Sequence, residues 1–376
     1  MSSPAPLVDA RLRAHRLTAP AATPLEAAEH LLAVQAQEFW GGRWALAVRS
    51  RGGGTGSSGT GSNGLQSGED AAPPTLSDVD AAFDRGDLVR AWTMRGTIHV
   101  IPARDLGWVL QLTGQRQSRQ ASAMYRRHGL DAAALAEAQR VVTAALAGGN
   151  RLTREQLFGV LSGAGIDATD RRHAHIVYEL AVRGVLCQGP VVARDGAPTR
   201  EQYFVLSGEW IGGSAAPADP LAELFVRYIT GHGPASAADF AWWSGLPATV
   251  ARRAAAASVD RLVEVDDGVY TAATLPASDP AAPRVIALPS FDEYYISYAD
   301  RTTVAAPELA ALVGPGKNGL VRPILIEDGA VVGAWAHSKA VGRHGDAPVP
   351  DLAEGAATSP AAVEAALARY ARFIAG

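Results

Sequence analysis

The spacing of apolar residues near the N-terminus predicts an amphipathic helix that ends at a polar segment. An apolar residue recurs every three or four positions, at Leu25, Ala28, Leu31, Leu32 and Val34. Thr23-Pro24-Leu25-Glu26 resembles a capping box with proline at the first helical position. We expect Gly41-Gly42 to end this helix.

The next elements complete a compact unit. A short helix over 43–49 and a helix over 75–85 precede two apolar strands, 88–93 and 97–101, which are joined by Met94-Arg95-Gly96. Three helices followed by a two-stranded hairpin are typical of a winged helix. The Gly/Ser-rich stretch 52–74 inside this unit has almost no apolar residues, so we expect it to be disordered.

The same order of elements recurs twice. Helices over 152–161 and 169–183 precede strands over 185–188 and 202–206, with turn residues at 193–196. Helices over 221–230, 236–244 and 247–257 then precede strands over 262–265 and 269–272. Gly245 separates two of these helices with helix-turn-helix spacing, and Asp266-Asp267-Gly268 is a strong hairpin signal.

The remaining segments connect and extend these units. Residues 106–147 form mostly long helices, which we interpret as a scaffold, and short β-rich runs after residue 283 predict an antiparallel sheet or barrel before a helix at 359–374. The predicted domains are 1–105, 106–147, 148–212, 218–276 and 283–376.

Composition excludes several kinds of protein. Cys187 is the only cysteine, so an internal disulfide and a thiolate metal cluster are excluded. No apolar run approaches a membrane span, and Met1-Ser2-Ser3-Pro4 does not begin a signal peptide. We therefore expect a cytoplasmic protein without a membrane partner.

Charge is distributed unevenly along the chain. The net charge of −4 argues mildly against a nucleic-acid partner. Residues 85–127, however, hold eight arginines and two aspartates. A basic face on an acidic body can still bind phosphate, because the nearby field governs the contact.

Gln35 and Gln37 place two uncharged amides at the predicted helix end. Residues two apart on a regular helix point to different faces, so the helix must end or be distorted there if both side chains are to meet. A structural role as two exposed amides in the last turn remains open. Glu38 is the nearest carboxylate and is the alternative catalytic group.

Four motifs in this order resemble the bacterial winged-helix DNA glycosylases over most of the chain. They are Gln35-Ala36-Gln37, the segment from Arg95 to His99, the segment from Ala237 to Leu246, and the segment from Leu288 to Tyr295. The resemblance implies an α+β fold with three tandem winged-helix motifs on a helical scaffold and a small C-terminal β-barrel.

The resemblance also implies a chemistry. The catalytic signature of the family, Gln-aliphatic-Gln/Asp, falls on Gln35, Ala36 and Gln37, and glutamine at position 37 matches the self-resistance branch. The implied reaction releases N7-alkylated guanine from double-stranded DNA and unhooks interstrand crosslinks such as those of azinomycin. No cofactor is implied.

Such a substrate suits a pair of amides. N7-alkylated guanine is already cationic and leaves readily, so a strong general acid is unnecessary. What remains is to orient a water molecule and to stabilise the oxocarbenium-like sugar, and amide oxygens can do both weakly. We therefore expect no activity on unmodified bases.

Candidate DNA contacts lie on the first hairpin and on two helix starts. They are Arg95, Gly96, Thr97, His99, Arg104, Arg171 and Arg172. The alternatives are a solvated turn for Arg95-Gly96, packing for His99 and a solvated face for Arg171-Arg172.

Other polar and aromatic residues have mainly structural interpretations. We expect no metal at His173 and His175, because no third ligand is close in sequence. Trp242-Trp243 is expected in the core, and Asp292-Glu293 with Arg301 is expected to form a structural ion pair rather than to line a DNA channel.

A non-enzymatic hypothesis also fits the predicted fold. Winged helices commonly regulate transcription, and a regulator or a drug-sequestering protein would need no catalytic group. Such regulators usually dimerise on a palindrome. The chain shows no coiled-coil heptads, so we expect a monomer.

Overall fold

The computed structural model describes residues 4–51, 73–193, 199–316, 319–337 and 348–375. Most of the segment predicted to be disordered, 52–74, lies outside these residues, as do positions 194–196 of the predicted second turn. In the described part of the chain, no helix is long and apolar enough to cross a membrane.

The N-terminal region holds the first glutamine in a short strand. Its elements are α1 (Pro4–Ala14), α2 (Pro24–Leu31), β1 (Val34–Gln35), α3 (Phe39–Ala47), α4 (Leu76–Asp84), β2 (Leu88–Met94) and β3 (Thr97–Pro102). Thr23 caps α2 by accepting a hydrogen bond from the main chain of Glu26, as predicted.

Two predicted boundaries in this region are wrong. The helix ends at Leu31, because Leu32 adopts a φ of 67° that turns the chain into β1. Gly41 and Gly42 lie inside α3 and do not end a helix. A Cβ at Gly42 would lie 2.5 Å from that of Ala36, so glycine lets α3 pack directly against the segment between the two glutamines.

The predicted scaffold and second unit follow. Their elements are α5 (Leu106–Arg127), α6 (Ala132–Leu146), α7 (Arg154–Gly163), α8 (Arg172–Val182), β4 (Leu186–Val191), β5 (Gln202–Leu206) and α9 (Ser207–Trp210). The first two predicted hairpins form one sheet, because Arg90 of β2 pairs with Gln188 of β4. The strand order is β1-β3-β2-β4-β5.

The third unit has its own small sheet. Its elements are α10 (Pro220–His232), β6 (Ala235–Ser236), α11 (Ala237–Ser244), α12 (Ala248–Ala256), β7 (Leu262–Asp266) and β8 (Val269–Ala272). The strand order is β6-β8-β7. Gly245 has a φ of +70° and separates α11 from α12 at the predicted position.

The C-terminal strands form an open sheet. The elements are β9 (Val285–Leu288), α13 (Glu293–Ile296), α14 (Ala310–Val313), β10 (Ile324–Glu327), β11 (Ala330–Ala336), β12 (Val349–Leu352) and α15 (Pro360–Ala375). The order β12-β11-β10-β9 leaves β9 and β12 at the edges, so the described strands do not close into the predicted barrel. A barrel needs its first and last strands to pair.

The C-terminal sheet shares a hydrophobic core with the N-terminal region. Trp44 of α3, Trp335 of β11 and Tyr370 of α15 are buried in this core. Asp292 forms the expected structural ion pair, but with Arg49 and not with Arg301, and both groups are fully buried at 2.6 Å. This packing brings α13 next to β1.

Candidate active site

Gln35 lies in β1 and Gln37 lies in the bend that follows it, and both are beside the first hairpin. Gln35 is opposite His99 in the pairing of β1 with β3, and the main chain of Ala36 continues this pairing by donating to Ile98. α2 ends at Leu31, before both glutamines, which is the first of the two predicted alternatives, a helix that ends or is distorted. No distortion of a helix is needed.

Each glutamine amide contacts the hairpin through its oxygen. The Oε1 atom of Gln35 accepts from Nη2 of Arg95 at 3.0 Å, and that of Gln37 accepts from the main-chain nitrogen of Ile98 at 3.2 Å. Gln35 is 6% exposed, whereas Gln37 is exposed. An amide oxygen has two lone pairs, so each can accept one further hydrogen bond.

A buried carboxylate holds the main chain of Gln35. Oε1 of Glu293 accepts from the Gln35 nitrogen at 2.7 Å. Its other oxygen accepts from Nε1 of Trp243 at 3.0 Å and from the hydroxyl of Ser297. Nε2 of His232 lies 3.5 Å from the same oxygen. This network fixes the main chain of Gln35, whereas Arg95 contacts its side chain.

Glu293 stays ionised despite its complete burial. Burial alone would raise its pKa, but the hydrogen bond and charge of His232, together with the charges of His99 and Arg95, lower it to about 2. The candidate active site therefore contains a fixed negative charge behind Gln35.

His99 is a buried and neutral member of the hairpin. Burial lowers its pKa to about 4, although Glu293 raises it in part. Its Nδ1 atom lies 2.9 Å from the Thr93 hydroxyl, and Nε2 is buried without a hydrogen-bond partner among the described residues. In the free protein His99 is thus packed within the sheet, in line with the packing alternative.

The hairpin tip is held against the glutamines. Arg95 has a φ of 55°, its side chain reaches Gln35, and burial lowers the pKa of its guanidinium. Gln117 of α5 accepts from the exposed Gly96 and donates to the main chain of Thr93. The Thr97 hydroxyl donates to Met94. In the free protein, therefore, the wing tip is braced by the protein itself.

The other arginines predicted as DNA contacts lie elsewhere. Arg104 pairs with Glu29 at 3.0 Å. Arg171 is exposed at the start of α8, and Nη2 of Arg172 lies 3.5 Å from the Gly129 oxygen. None of these contacts joins these three arginines to the glutamines.

Glu38 has a separate environment. It precedes α3, and its carboxylate accepts from the Ser290 hydroxyl at 2.9 Å. It therefore borders the glutamine segment without a hydrogen bond to either glutamine side chain among the described contacts.

Sequence reasoning missed the place of Glu293 and one exposed tryptophan. Glu293 lies in the motif from Leu288 to Tyr295, but sequence spacing could not place it next to Gln35, which is 258 residues away. Trp243 is buried as expected, whereas Trp242 is 46% exposed. The indole of Trp242 donates to Ile296, and Arg301 lies over its ring.

The described residues show no cluster of three or more His, Cys, Asp or Glu side chains suited to a metal ion. His173 contacts the main chain of Ile166, and His175 stacks on His128. The two histidines thus have separate structural contacts.

Comparison with known proteins gives the class of this chain. The family model described as DNA glycosylase AlkZ-like matches residues 68–373. A curated relative from Streptomyces sahachiroi, the interstrand DNA cross-link repair glycosylase, is 28% identical over 284 residues, which are 70% of this chain and 74% of the relative. Enzymes of this class cleave N-glycosyl bonds in DNA.

The fold agrees with this class. The solved structure of the Streptomyces sahachiroi DNA glycosylase AlkZ superposes with a TM-score of 0.73 at 23% identity, covering 99% of this chain and 96% of that one. The chain belongs to the AlkZ-like DNA glycosylase family. The predicted family and enzyme class are thereby confirmed, and they outweigh the hypothesis of a non-enzymatic regulator.

Proposed function

We propose that this DNA glycosylase hydrolyses the N-glycosidic bond of N7-alkylated guanine in double-stranded DNA. We include guanine held in an interstrand crosslink, such as those formed by azinomycin, and a role in self-resistance and repair. The name of the curated relative, an interstrand DNA cross-link repair glycosylase, supports the crosslink. The observation that carries the proposal is the pair of amide oxygens, Gln35 and Gln37, held on one hairpin.

The reaction needs little help at the leaving group. The bond between N9 and C1′ breaks, and its electron pair moves onto the base and neutralises the positive charge of the alkylated ring. The sugar becomes an oxocarbenium-like cation, and water attacks C1′ and releases a proton. An uncharged amide pair suffices only because the base is already cationic.

The two glutamines take different parts. Gln37 is exposed, so its free lone pair is accessible to the attacking water. Gln35 is buried and fixed, so its amide dipole, backed by the ionised Glu293, stabilises the positive charge that develops on the sugar. The charge of Glu293 acts across the strand and not by contact with the sugar, because this carboxylate is fully buried.

The remaining parts of the proposal concern the surrounding fold. We assign the three helix-and-hairpin units, 1–105, 148–212 and 218–276, as winged helices on the 106–147 scaffold. The hairpin residues Arg95, Gly96, Thr97 and His99, with Arg104, Arg171 and Arg172, remain the proposed DNA contacts. We propose that the protein acts as a monomer without a cofactor or metal.

A base-release assay tests the reaction. Wild-type protein should release N7-methylguanine from a methylated duplex in the presence of EDTA and leave unmodified bases in place. Gln37→Ala should slow release by about 10²–10³-fold, the usual cost of losing one preorganised polar group at the reacting centre. DNA binding by this variant should persist, as a gel-shift titration would show.

Glu38→Gln is the matched neighbour. It removes the carboxylate that directly follows Gln37 in the sequence and should leave release close to the wild-type rate. A large loss in Glu38→Gln with full activity in Gln37→Ala would assign the chemistry to the carboxylate. Absence of any released base from wild-type protein on methylated and crosslinked DNA would refute the proposed substrate.

A further inference from the structure

A groove lined by arginines, glutamines and apolar side chains runs between α5 and the α11–α12 pair. It consists of two hollows of about 490 Å³ and 380 Å³, which share Arg116, Gln120 and Leu246. Arg95 lines its inner end, and the guanidinium of Arg95 contacts Gln35. The groove therefore leads away from the candidate catalytic amides.

The lining of this groove is positively charged. Arg95, Arg116, Arg119 and Arg253 line it, and neither Asp nor Glu does so within the described ranges. This contrasts with the acidic net charge of the whole chain. The groove is thus locally positive although the net charge of the protein is negative.

The outer arginines of the groove differ from many others on the surface. Arg140 and Arg183, for example, each lie within 3 Å of a glutamate. Arg116, Arg119 and Arg253 are exposed and form no ion pair with any carboxylate in the described part of the chain. Their charges are therefore available to bind an anionic ligand.

Neutral amides line the groove together with these charges. Gln111, Gln115 and Gln120 of α5 are exposed there, whereas Gln117 is buried and its amide already bonds to Gly96 and Thr93. A row of separated arginines with amides between them suits a repeating polyanion better than a compact anion, which would need its donors at one point.

We propose that this groove binds the phosphodiester backbone of the DNA strand next to the modified nucleotide. The inference rests on the proposed function, because it takes the glutamines as the place where the nucleotide reacts. Arg116, Arg119 and Arg253 neutralise successive phosphates, and the groove fixes the direction in which the strand leaves the active site. It adds three arginines to the DNA contacts that the sequence suggested.

The test is the salt dependence of DNA binding. The triple variant Arg116→Gln, Arg119→Gln, Arg253→Gln changes only exposed side chains, so it should fold normally. Each lost phosphate contact lowers the slope of log K against log salt by about 0.9, so the slope should fall by roughly 2–3. Affinity for a duplex containing N7-methylguanine should fall at least about tenfold at low salt.

A second triple variant, Arg51→Gln, Arg140→Gln, Arg284→Gln, is the matched control. It removes the same charge from exposed arginines that are already paired with carboxylates, and its salt slope should equal that of wild-type protein. Equal slopes for the groove variant and this control would overturn the proposal.

Comparing methylated with crosslinked duplexes separates binding of the phosphate backbone from binding of the crosslinking agent. If the groove instead held the organic part of a crosslinking agent, the groove variant would lose affinity only for crosslinked DNA, and the proposal would fail. The salt slope reports DNA binding and not base release. Failure of the glycosylase proposal would appear in the base-release assay, and failure of the groove proposal would appear in the salt slope.

Discussion

At the scale of single residues, Gln35 is fixed from two sides by charged groups. Arg95 holds its amide oxygen and Glu293 holds its main-chain nitrogen. A neutral amide can contribute to catalysis only if its dipole is already oriented, because reorientation during the reaction would cost the energy it supplies. The local sequence Gln35-Ala36-Gln37 does not determine how the amide of Gln35 is oriented, because the two groups that orient it lie elsewhere in the chain.

Glu293→Gln should therefore slow base release more than it weakens DNA binding. The new amide oxygen can still accept from Gln35, but the negative charge is lost and His232 no longer lies beside a carboxylate. We expect a roughly tenfold to hundredfold lower single-turnover rate with a nearly unchanged Kd. Stability should fall by about 3 kcal/mol, as urea unfolding would measure.

Ser297→Ala provides the comparison for Glu293→Gln. It removes one donor to the far oxygen of Glu293 and leaves the contact with Gln35 and the charge in place. Its release rate should stay close to the wild-type rate. A wild-type rate in a folded Glu293→Gln protein would show that the charge has no part in the reaction.

At the scale of elements, the sequence predicted most helices and hairpins but not the strand that carries the site. The Thr23 cap marked the start of α2, and the Asp266-Asp267-Gly268 turn marked the β7–β8 hairpin. β1 has two residues and pairs with a strand about 60 residues away, so no local period reveals it. Its apolar neighbours simply extended the helical stripe.

The paired glycines Gly41 and Gly42 also show what the local sequence cannot predict. Gly41-Gly42 looks like a helix end because glycine is common there. Here the glycine at position 42 serves a close approach of α3 to Ala36. Only the packed structure distinguishes a glycine that ends a helix from one that lets two segments touch.

Gly245→Ala should disturb the site through the hairpin tip. Its φ of +70° is costly for alanine, and the new Cβ would lie 3.0 Å from Cγ of Arg95. We expect a loss of about 1–2 kcal/mol in thermal or urea unfolding and slower base release, because Arg95 would shift from Gln35.

Gly159→Ala is the matched glycine. It lies in α7 with ordinary φ and with no atom near its added Cβ, so alanine should stabilise the protein by about 0.5–1 kcal/mol. Unchanged stability and activity in Gly245→Ala would show that the hairpin tip accommodates the extra methyl group freely.

At the scale of the whole molecule, one core joins the N-terminal helices to the C-terminal sheet. The sequence divided these regions into separate segments, because pattern alone cannot show which apolar faces meet. Several histidines are buried along with that core. His30 and His99 have pKa values lowered to about 4, and that of His15 is also well below its usual value, in each case mainly by burial.

Stability should therefore decrease as the pH falls below about 6.5. Below this pH the histidines are protonated in the unfolded chain but stay neutral in the folded protein. Stability that is present at neutral pH is therefore lost progressively toward pH 4. A histidine with a folded pKa of about 4 should cost about 2 kcal/mol at pH 5. Urea unfolding at pH 7 and pH 5 measures the difference.

His99→Gln isolates one of these contributions. Its stability should change by about 2 kcal/mol less between the two pH values than that of wild-type protein. An identical pH dependence in the two proteins would show that His99 accepts a proton in the folded state.

The hydrogen bond between Gln35 and Glu293 also sets an order of events during synthesis. Its partners are 258 residues apart. At about 5–20 residues per second, roughly 10–50 s pass between the emergence of the glutamine and that of the carboxylate. A growing or truncated chain that lacks the C-terminal region thus carries both glutamines without the group that fixes them, so we expect it to release bases more slowly than the finished molecule does.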